Sequence, residues 1–159
     1  MAITVLCVGK TREHYFADAV AEYTKRLSAL MPCAVVEVPD EPEPKQLSDA
    51  AIEKVMRAEG ERLLAKIAPT AYVVALCVDA KQPTSEELAA KLQNLFVSGK
   101  SEVVFVIGGS LGLHERVLAR ADERMGMSRM TFPHQLARVV LVEQLYRAAK
   151  INAGQRYHK

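Results

Sequence analysis

Residues 102–112 read EVVFVIGGSLG, an apolar run that passes directly into a glycine-rich turn. Val103 to Ile107 carry β-branched and aromatic side chains with no polar alternation, which is typical of a strand buried on both faces. A helix is predicted directly after the turn, from about His114 to Ala121. Strand, glycine turn and helix in immediate succession favour an α/β protein with a parallel sheet.

The alternation of strand and helix extends on both sides of this segment. Further strands are predicted at Ile3–Val8, Ala34–Val38 and Tyr72–Val78, with a short final strand at 127–132, MSRMTF. Helices are predicted from Tyr15 to about Leu30, from an N-cap at Ser48 to about Lys66, from a capping box at Thr84 and Glu87 to Phe96, and after Pro133. The proline-rich segment 39–45 is expected to be a surface loop. We expect one domain, residues 1–159, folded as a three-layer α/β sandwich around a mostly parallel sheet.

Composition excludes several classes of protein. The 159 residues carry a formal net charge of only +2, so affinity for nucleic acid would need local clusters of Lys and Arg. No apolar run reaches the roughly 20 residues of a membrane span, and the N-terminus lacks signal-peptide features, so we expect a soluble cytoplasmic protein. Cys7, Cys33 and Cys77 lack CxxC spacing and are expected to be buried free thiols, and the histidines lack the spacing of metal ligands, so no metal is expected.

Three loops could form a ligand site at the carboxyl edge of the sheet, where loops and helix N-termini converge in parallel sheets. They are Gly9–His14, Val78–Pro83 and Gly108–Gly112. The third is the strongest candidate, because its glycines permit backbone conformations and close approaches that a Cβ would block. Taken alone it is weak evidence, since it lacks the Lys-Ser/Thr of a P-loop and the spacing of GxGxxG.

A set of motifs in fixed order makes the interpretation more specific. These are VGK at 8–10, EYTKRL at 22–27, EGERLL at 59–64, IGGSLG at 107–112, MTFPHQLAR at 130–138, LYRA at 145–148 and the terminal YH at 157–158. In this order and spacing, the whole chain resembles the bacterial SPOUT-superfamily enzymes that methylate ring nitrogen three of a pseudouridine in large-subunit (23S) ribosomal RNA.

The resemblance implies a trefoil knot formed by the last third of the chain, a rare exception to ordinary topology. It also implies S-adenosyl-L-methionine as cofactor, held by Leu76, Gly108 and the loop Met127, Ser128, Arg129, Met130, Thr131 and Phe132. It further implies a homodimer in which each active site is completed by the partner. The final helix, which is apolar around most of its circumference, agrees with such an interface.

The candidate catalytic residues are Arg147, Tyr157 and His158, and the resemblance favours a functional role for this C-terminal group. Methyl transfer to an imide nitrogen requires that nitrogen to lose its proton, which a nearby base or a cation would assist. Tyr157 could stack on the target base, His158 could accept the proton, and Arg147 could hold a phosphate or the developing oxyanion. Which residue does which stays open, and Lys159 stands where the family commonly carries an arginine.

Other polar residues near the C-terminus are assigned less specifically. His134 is expected to be structural. Arg138, Arg156 and Lys150 are interpreted either as a local basic set or as solvated residues. The last three residues, 157–159, are expected to contribute little to the core.

Two alternatives remain beside the methyltransferase. One is a non-enzymatic ribosome-binding protein that keeps the same fold, and the other is a different α/β nucleotide-binding protein. Because the chain is small and almost uncharged, we expect an enzyme of this kind to recognise assembled ribosomes rather than free RNA.

Overall fold

The computed structural model describes residues 1–159, in which strands and helices alternate along the chain. The elements are β1 (Ala2–Val8), α1 (His14–Ser28), β2 (Cys33–Val38), α2 (Asp49–Leu64), β3 (Tyr72–Leu76), α3 (Ser85–Val97), β4 (Glu102–Ile107), α4 (Glu115–Arg120), β5 (Glu123–Met125) and α5 (His134–Asn152). Two of the predicted helix starts are confirmed in detail. The Ser48 hydroxyl accepts a hydrogen bond from the Ala51 backbone N–H, and Thr84 and Glu87 form a reciprocal capping box.

The five strands form one parallel sheet in the order β2-β1-β4-β3-β5. The predicted strand at 103–107 is its middle member, where Phe105 lies opposite Val5 on one side and Val74 on the other. All three residues are fully buried. A central strand covered on both faces explains why residues 103–107 carry no polar alternation.

Helices cover both faces of the sheet. Alternate side chains of β1 and β4, such as Val5 and Phe105, pack with α1, α3 and α5 in the larger core cluster. Their neighbours, such as Leu6 and Val106, pack on the opposite face with Leu63 of α2 and Val117 of α4. The predicted three-layer α/β architecture with a parallel sheet is thereby confirmed.

Which face of the sheet a connecting helix covers follows from the direction in which the chain crosses from one strand to the next. The β1 to β2 and β3 to β4 connections step one way and use the face of α1 and α3. The β2 to β3 and β4 to β5 connections step the other way and use the face of α2 and α4. One hand of crossover produces this arrangement, as expected for parallel strands.

The prediction of a final strand at 127–132 is wrong. The last strand is β5, Glu123–Met125, which pairs with the end of β3, and β3 itself ends at Leu76 rather than Val78. After β5 the chain turns at Gly126, which lies so close to the preceding loop that a Cβ there would be 2.5 Å from the Ala80 carbonyl oxygen. Residues 127–132 are then irregular. The Ser128 hydroxyl accepts a hydrogen bond from the Met130 N–H in a local turn, so this N–H does not pair with a neighbouring strand.

The three thiols are all free, but only Cys7 is fully buried, whereas Cys33 and Cys77 are half-buried. Burial raises the pKa of both Cys7 and Cys33 to about 11, so both sulfurs are protonated at neutral pH. None of the helices combines the length and apolar character needed to cross a membrane.

Arg138 departs most clearly from its sequence-based interpretation, because it is neither solvated nor part of a surface basic set. Only 1% of it is exposed, and it reaches from α5 across the end of β1. One terminal nitrogen donates to the carbonyls of Val8 and Gly9 at 2.6 and 2.9 Å, and the other contacts Thr11 and Glu37, both at 3.0 Å. The guanidinium therefore joins the start of α5 to the carboxyl end of β1.

We expect Arg138→Ala to lower the free energy of unfolding by about 3 kcal/mol, because it leaves two buried carbonyl acceptors unpaired and opens a cavity. Urea denaturation at fixed protein concentration measures this change. The matched control is Arg57→Ala, whose exposed ion pair with Glu53 should contribute less than about 1 kcal/mol. Equal effects of the two substitutions would contradict the structural role given to Arg138.

Candidate active site

A cavity with a volume of about 590 Å³ lies at the carboxyl ends of the three adjacent strands β4, β3 and β5. Its walls come from the ends of these strands, the glycine turn after β4, the segment between β5 and α5, and the first turn of α5. The lining residues are Leu76, Cys77, Val78, Ile107, Gly108, Gly109, Ser110, Gly112, Leu113, Met125, Met127, Ser128, Met130, Thr131, Phe132, Pro133, His134 and Ala137. This size and position are typical of a small-molecule site in a parallel α/β protein.

The cavity walls are mainly apolar and carry no carboxylate. Their polar side chains are the hydroxyls of Ser110, Ser128 and Thr131, the thiol of Cys77 and the imidazole of His134. Burial lowers the pKa of His134, and the charge of Arg138 lowers it further, so this imidazole is neutral at neutral pH. The cavity thus suits an amphipathic ligand that is held by apolar contacts and neutral hydrogen bonds.

The glycine turn forms one wall because its backbone approaches its surroundings closely. Gly112 has a φ of +90°, a conformation that L side chains rarely adopt. A Cβ on Gly108 would lie 3.0 Å from the Gly112 carbonyl carbon, and one on Gly109 would lie 2.9 Å from a carboxylate oxygen of Glu59. The three glycines that made this loop a candidate in the sequence are therefore required for steric reasons.

Glu59 lies behind the glycine turn and is only 5% exposed. Its carboxylate accepts a hydrogen bond from the Glu41 N–H at 3.1 Å, while the Ser110 hydroxyl donates to Glu43. Burial raises the pKa of Glu59, and this effect exceeds the opposite effect of the bond from Glu41. The acidic loop 39–45 is thus attached to the back of the cavity wall.

Seven of the eight residues expected to hold the cofactor line this cavity: Leu76, Gly108, Met127, Ser128, Met130, Thr131 and Phe132. Arg129 does not, and instead lines a shallow depression beside Val78 to Gln82. Among the three candidate loops, those after β3 and β4 contribute to the cavity, whereas Gly9–His14 does not. The end of β1 is occupied by Arg138 instead.

Several lining residues were not identified from the sequence. Ile107 was predicted only as the end of a buried strand. Met125 had no predicted role, because its position depends on β5, which the sequence did not reveal. His134 and Ala137 enter because the first turn of α5 faces the cavity. Pro133 was the sequence feature that could have identified them, because it predicts where α5 begins and therefore which residues form its first turn.

The three proposed catalytic residues form one cluster at the C-terminus. The Arg147 guanidinium carbon lies 4.6 Å from the centre of the Tyr157 ring. Glu143 accepts hydrogen bonds from Arg147 at 2.5 Å and from the Tyr157 hydroxyl at 3.0 Å. His158 lies 3.4 Å from Arg147 through Nδ1 and 2.7 Å from Glu86 through Nε2. The structure therefore brings Arg147, Tyr157 and His158 together, ordered by two carboxylates.

These contacts define the tautomer of neutral His158. A carboxylate only accepts hydrogen bonds, so Nε2 carries the hydrogen that it donates to Glu86. A guanidinium only donates, so the lone pair lies on Nδ1 and faces Arg147. Nδ1 is therefore the ring nitrogen of neutral His158 that can accept a hydrogen bond.

Tyr157 contradicts the expectation that the last three residues contribute little to the core. It is half-buried and packs against the larger core cluster, with its ring centre 4.8 Å from that of Tyr146 in α5. Burial and the bond to Glu143 raise the pKa of its hydroxyl to about 12. Tyr157 therefore stays protonated at neutral pH and is unsuited to serve as a base.

The cavity and the C-terminal cluster share no residue within one chain. The cavity takes its α5 residues from the first turn, while the cluster is built on Glu143 and Arg147, further along the same helix. Glu86, the partner of His158, lies in the first turn of α3. The structure also contains no group of three or more His, Cys, Asp or Glu residues arranged to hold a metal ion.

Comparison with known proteins agrees with the resemblance read from the motifs. A family model described as "Predicted SPOUT methyltransferase" matches residues 1–158. The chain belongs to the SPOUT methyltransferase family. Membership of this family implies the trefoil knot in the last third of the chain and a cofactor that donates a methyl group.

Relatives in this SPOUT family match over the full length of both chains. Proteins of Listeria monocytogenes, Exiguobacterium sibiricum and Lysinibacillus sphaericus are 55%, 52% and 52% identical over 159 residues, covering 100% of each chain. Each of them is named ribosomal RNA large subunit methyltransferase H. The chain is thus similar throughout to proteins that carry one name.

A solved structure supports the same fold. A probable methylase family protein from Haemophilus influenzae aligns with a TM-score of 0.54 at 12% identity, over 99% of this chain and 70% of the other. At this identity the likeness shows the fold alone.

We expect Glu59→Gln to stabilise the protein at neutral pH and to lose that advantage in acid. A carboxyl whose pKa is raised by folding supports the folded state below its unfolded pKa, and this support is lost as pH rises through the folded pKa. The glutamine oxygen can still accept the Glu41 N–H without a buried charge. Unfolding by urea at pH 8 and near pH 4 measures the difference, with the exposed neighbour Glu61→Gln as the matched control. A constant difference between wild type and Glu59→Gln across this range would refute the assignment.

Proposed function

We propose that this chain transfers a methyl group from S-adenosyl-L-methionine to ring nitrogen N3 of a pseudouridine in 23S ribosomal RNA of assembled ribosomes. The main support is the cavity walled by the glycine turn and residues 127–132, in a SPOUT methyltransferase whose full-length relatives are named ribosomal RNA large subunit methyltransferase H.

The cavity fits this cofactor in size and chemistry. A volume of about 590 Å³ lies within the usual range for small-molecule pockets. Leu76 and Met127 offer apolar walls for an adenine ring, and the hydroxyls of Ser110, Ser128 and Thr131 offer hydrogen bonds to polar groups. Bound there, S-adenosyl-L-methionine would supply a methyl group activated by its sulfonium.

The C-terminal cluster supplies acid-base chemistry. We assign proton acceptance to Nδ1 of His158, the atom that carries the lone pair in the neutral tautomer. Arg147 would stabilise the negative charge that develops on the base when the imide proton leaves. Tyr157 would hold Arg147 through ring stacking and their shared contact with Glu143, and would offer its aromatic surface to the target base.

We further propose that the protein acts as a homodimer in which the cluster of one subunit completes the cavity of the other. The support is the separation of cluster and cavity on one chain, since methyl transfer requires donor and acceptor in contact. Leu136, Val139 and Val140 recur on one face of α5 and are only half-buried, although they are large and apolar. A symmetric contact between two copies of this face would cover them.

The proposal is tested by incubating the protein with labelled S-adenosyl-L-methionine and ribosomes from a strain that lacks it. We expect one methyl group on a 23S pseudouridine, located by mass spectrometry of RNA fragments. Naked 23S RNA serves as the comparison substrate and should be modified poorly. Binding to ribosomes without any transfer would instead favour a non-enzymatic ribosome-binding protein.

We expect His158→Ala to lower turnover by about 10²- to 10⁴-fold, the range typical for loss of a general base, while cofactor affinity is unchanged. Single-turnover methylation measures the first quantity, and calorimetry with S-adenosylhomocysteine measures the second. The matched control is Gln155→Ala in the same segment, which should retain activity. If His158→Ala turned over like wild type, His158 would not be the proton acceptor.

Completion of the site by a partner predicts complementation between two inactive variants. Gly108→Val should block the cavity, and His158→Ala should disable the cluster. When the two chains are co-expressed, half of the dimers are mixed and each has one intact composite site, so activity should recover to about a quarter of wild type. If cavity and cluster of the same chain act together, no activity should return.

A further inference from the structure

Arg129 differs from the rest of the segment 127–132. Met127, Ser128, Met130, Thr131 and Phe132 all line the cavity, whereas Arg129 alone lines the neighbouring depression. That depression is formed by Val78, Asp79, Ala80, Lys81, Gln82 and Arg129. Val78 lines both the cavity and the depression, so the two are contiguous.

The two loops that form the depression are fixed to each other by backbone contacts. Gly126 donates a hydrogen bond to the Lys81 carbonyl at 3.0 Å, and Cys77 donates to the Met125 carbonyl at 2.9 Å. Gly126 also packs so tightly on the Ala80 carbonyl that no side chain would fit between them. The backbone of Lys81 is therefore held against Gly126, three residues before Arg129, without any ligand.

The cations of the depression have no internal partners. Most arginines in the chain pair with a carboxylate, but Lys81 and Arg129 have none within 4.0 Å, including that of Asp79 beside them. Arg124 is a third unpaired and exposed cation, and its charge acts on the thiol of Cys77 in the cavity wall. The region beside the cavity therefore carries more positive than negative charge, in a protein whose net charge is only +2.

We propose that this depression binds the ribose-phosphate backbone of the RNA substrate beside the target nucleotide, with phosphates contacted by Arg129 and Lys81. This inference rests on the proposed function and assigns the Arg129 side chain to the RNA rather than to the cofactor. Unpaired cations on fixed loops match phosphates without first breaking internal ion pairs. Val78 and Met130, which are 55% and 72% exposed, add apolar surface at the junction for a flanking nucleoside.

An anion could also come from the cofactor, since its amino-acid carboxylate would suit the same cations. The position of Arg129 outside the cavity favours the RNA. The two sources differ in one measurable respect, because only a polyanion releases condensed counterions when it binds. The salt dependence of binding therefore separates them.

The experiment compares wild type with the double variant Lys81→Gln/Arg129→Gln. Equilibrium binding to ribosomes that lack the modification is measured over a series of salt concentrations, and calorimetry measures affinity for S-adenosylhomocysteine. The matched control is Lys54→Gln/Lys66→Gln, which removes two exposed, unpaired cations at and near α2, on the opposite face of the sheet from α3 and α5. Thermal unfolding verifies that all variants are folded.

We expect the double variant to bind ribosomes about tenfold or more weakly, with the slope of log K against log salt reduced by about 1.4 to 1.8 for two lost phosphate contacts. Its affinity for S-adenosylhomocysteine should stay within about twofold of wild type, and the control should match wild type throughout. Unchanged ribosome affinity and slope would overturn the inference alone. So would weakened S-adenosylhomocysteine binding with ribosome binding intact, or an equal loss in the control. Failure of wild type to bind or methylate ribosomes would overturn the proposed function itself, and this inference with it.

Discussion

The buried guanidinium of Arg138 is the constraint on which the arrangement of the site depends. It fixes the start of α5 against the carboxyl end of β1 through the carbonyls of Val8 and Gly9. The same part of α5 supplies the cavity with His134 and Ala137, and the helix then continues to Arg147 in the C-terminal cluster. One internal cation therefore sets the position of a cavity wall, and its charge also helps to keep the neighbouring imidazole of His134 neutral.

The sequence was sufficient where local chemistry determines structure. The strands β1 to β4 follow from apolar runs, and the starts of α2 and α3 follow from side chains that satisfy free backbone N–H groups. The sequence was insufficient where structure depends on distant contacts. A three-residue strand such as β5 has no periodicity to detect, and its position follows from pairing with β3 and the close approach of Gly126 to Ala80. Likewise, the α5 pattern cannot show that Arg138 has acceptors more than a hundred residues away.

The candidate site shows the same division. The glycine turn could be recognised from the sequence because its close contacts and its positive φ require glycine. The loop 127–132 could be recognised as part of the site only through family resemblance. Neither source indicated that the side chain of Arg129 lies apart from those of its neighbours, since orientation in an irregular segment depends on the loop opposite. The proposed catalytic residues were identified as a group from the sequence. Their arrangement depends on hydrogen bonds to Glu143 and Glu86, and no sequence pattern indicated a role for these two carboxylates.

The position of Cys77 in the cavity wall bears on how such an enzyme avoids modifying itself. A sulfur atom is a good acceptor for an alkyl group when it is ionised, and a thiolate here would compete with the RNA nitrogen. Burial raises the pKa of this thiol, and that effect is larger than the opposing effect of Arg124. The sulfur is thus kept in its weakly nucleophilic, protonated form. The apolar wall that would receive the methyl donor also protects the protein from it.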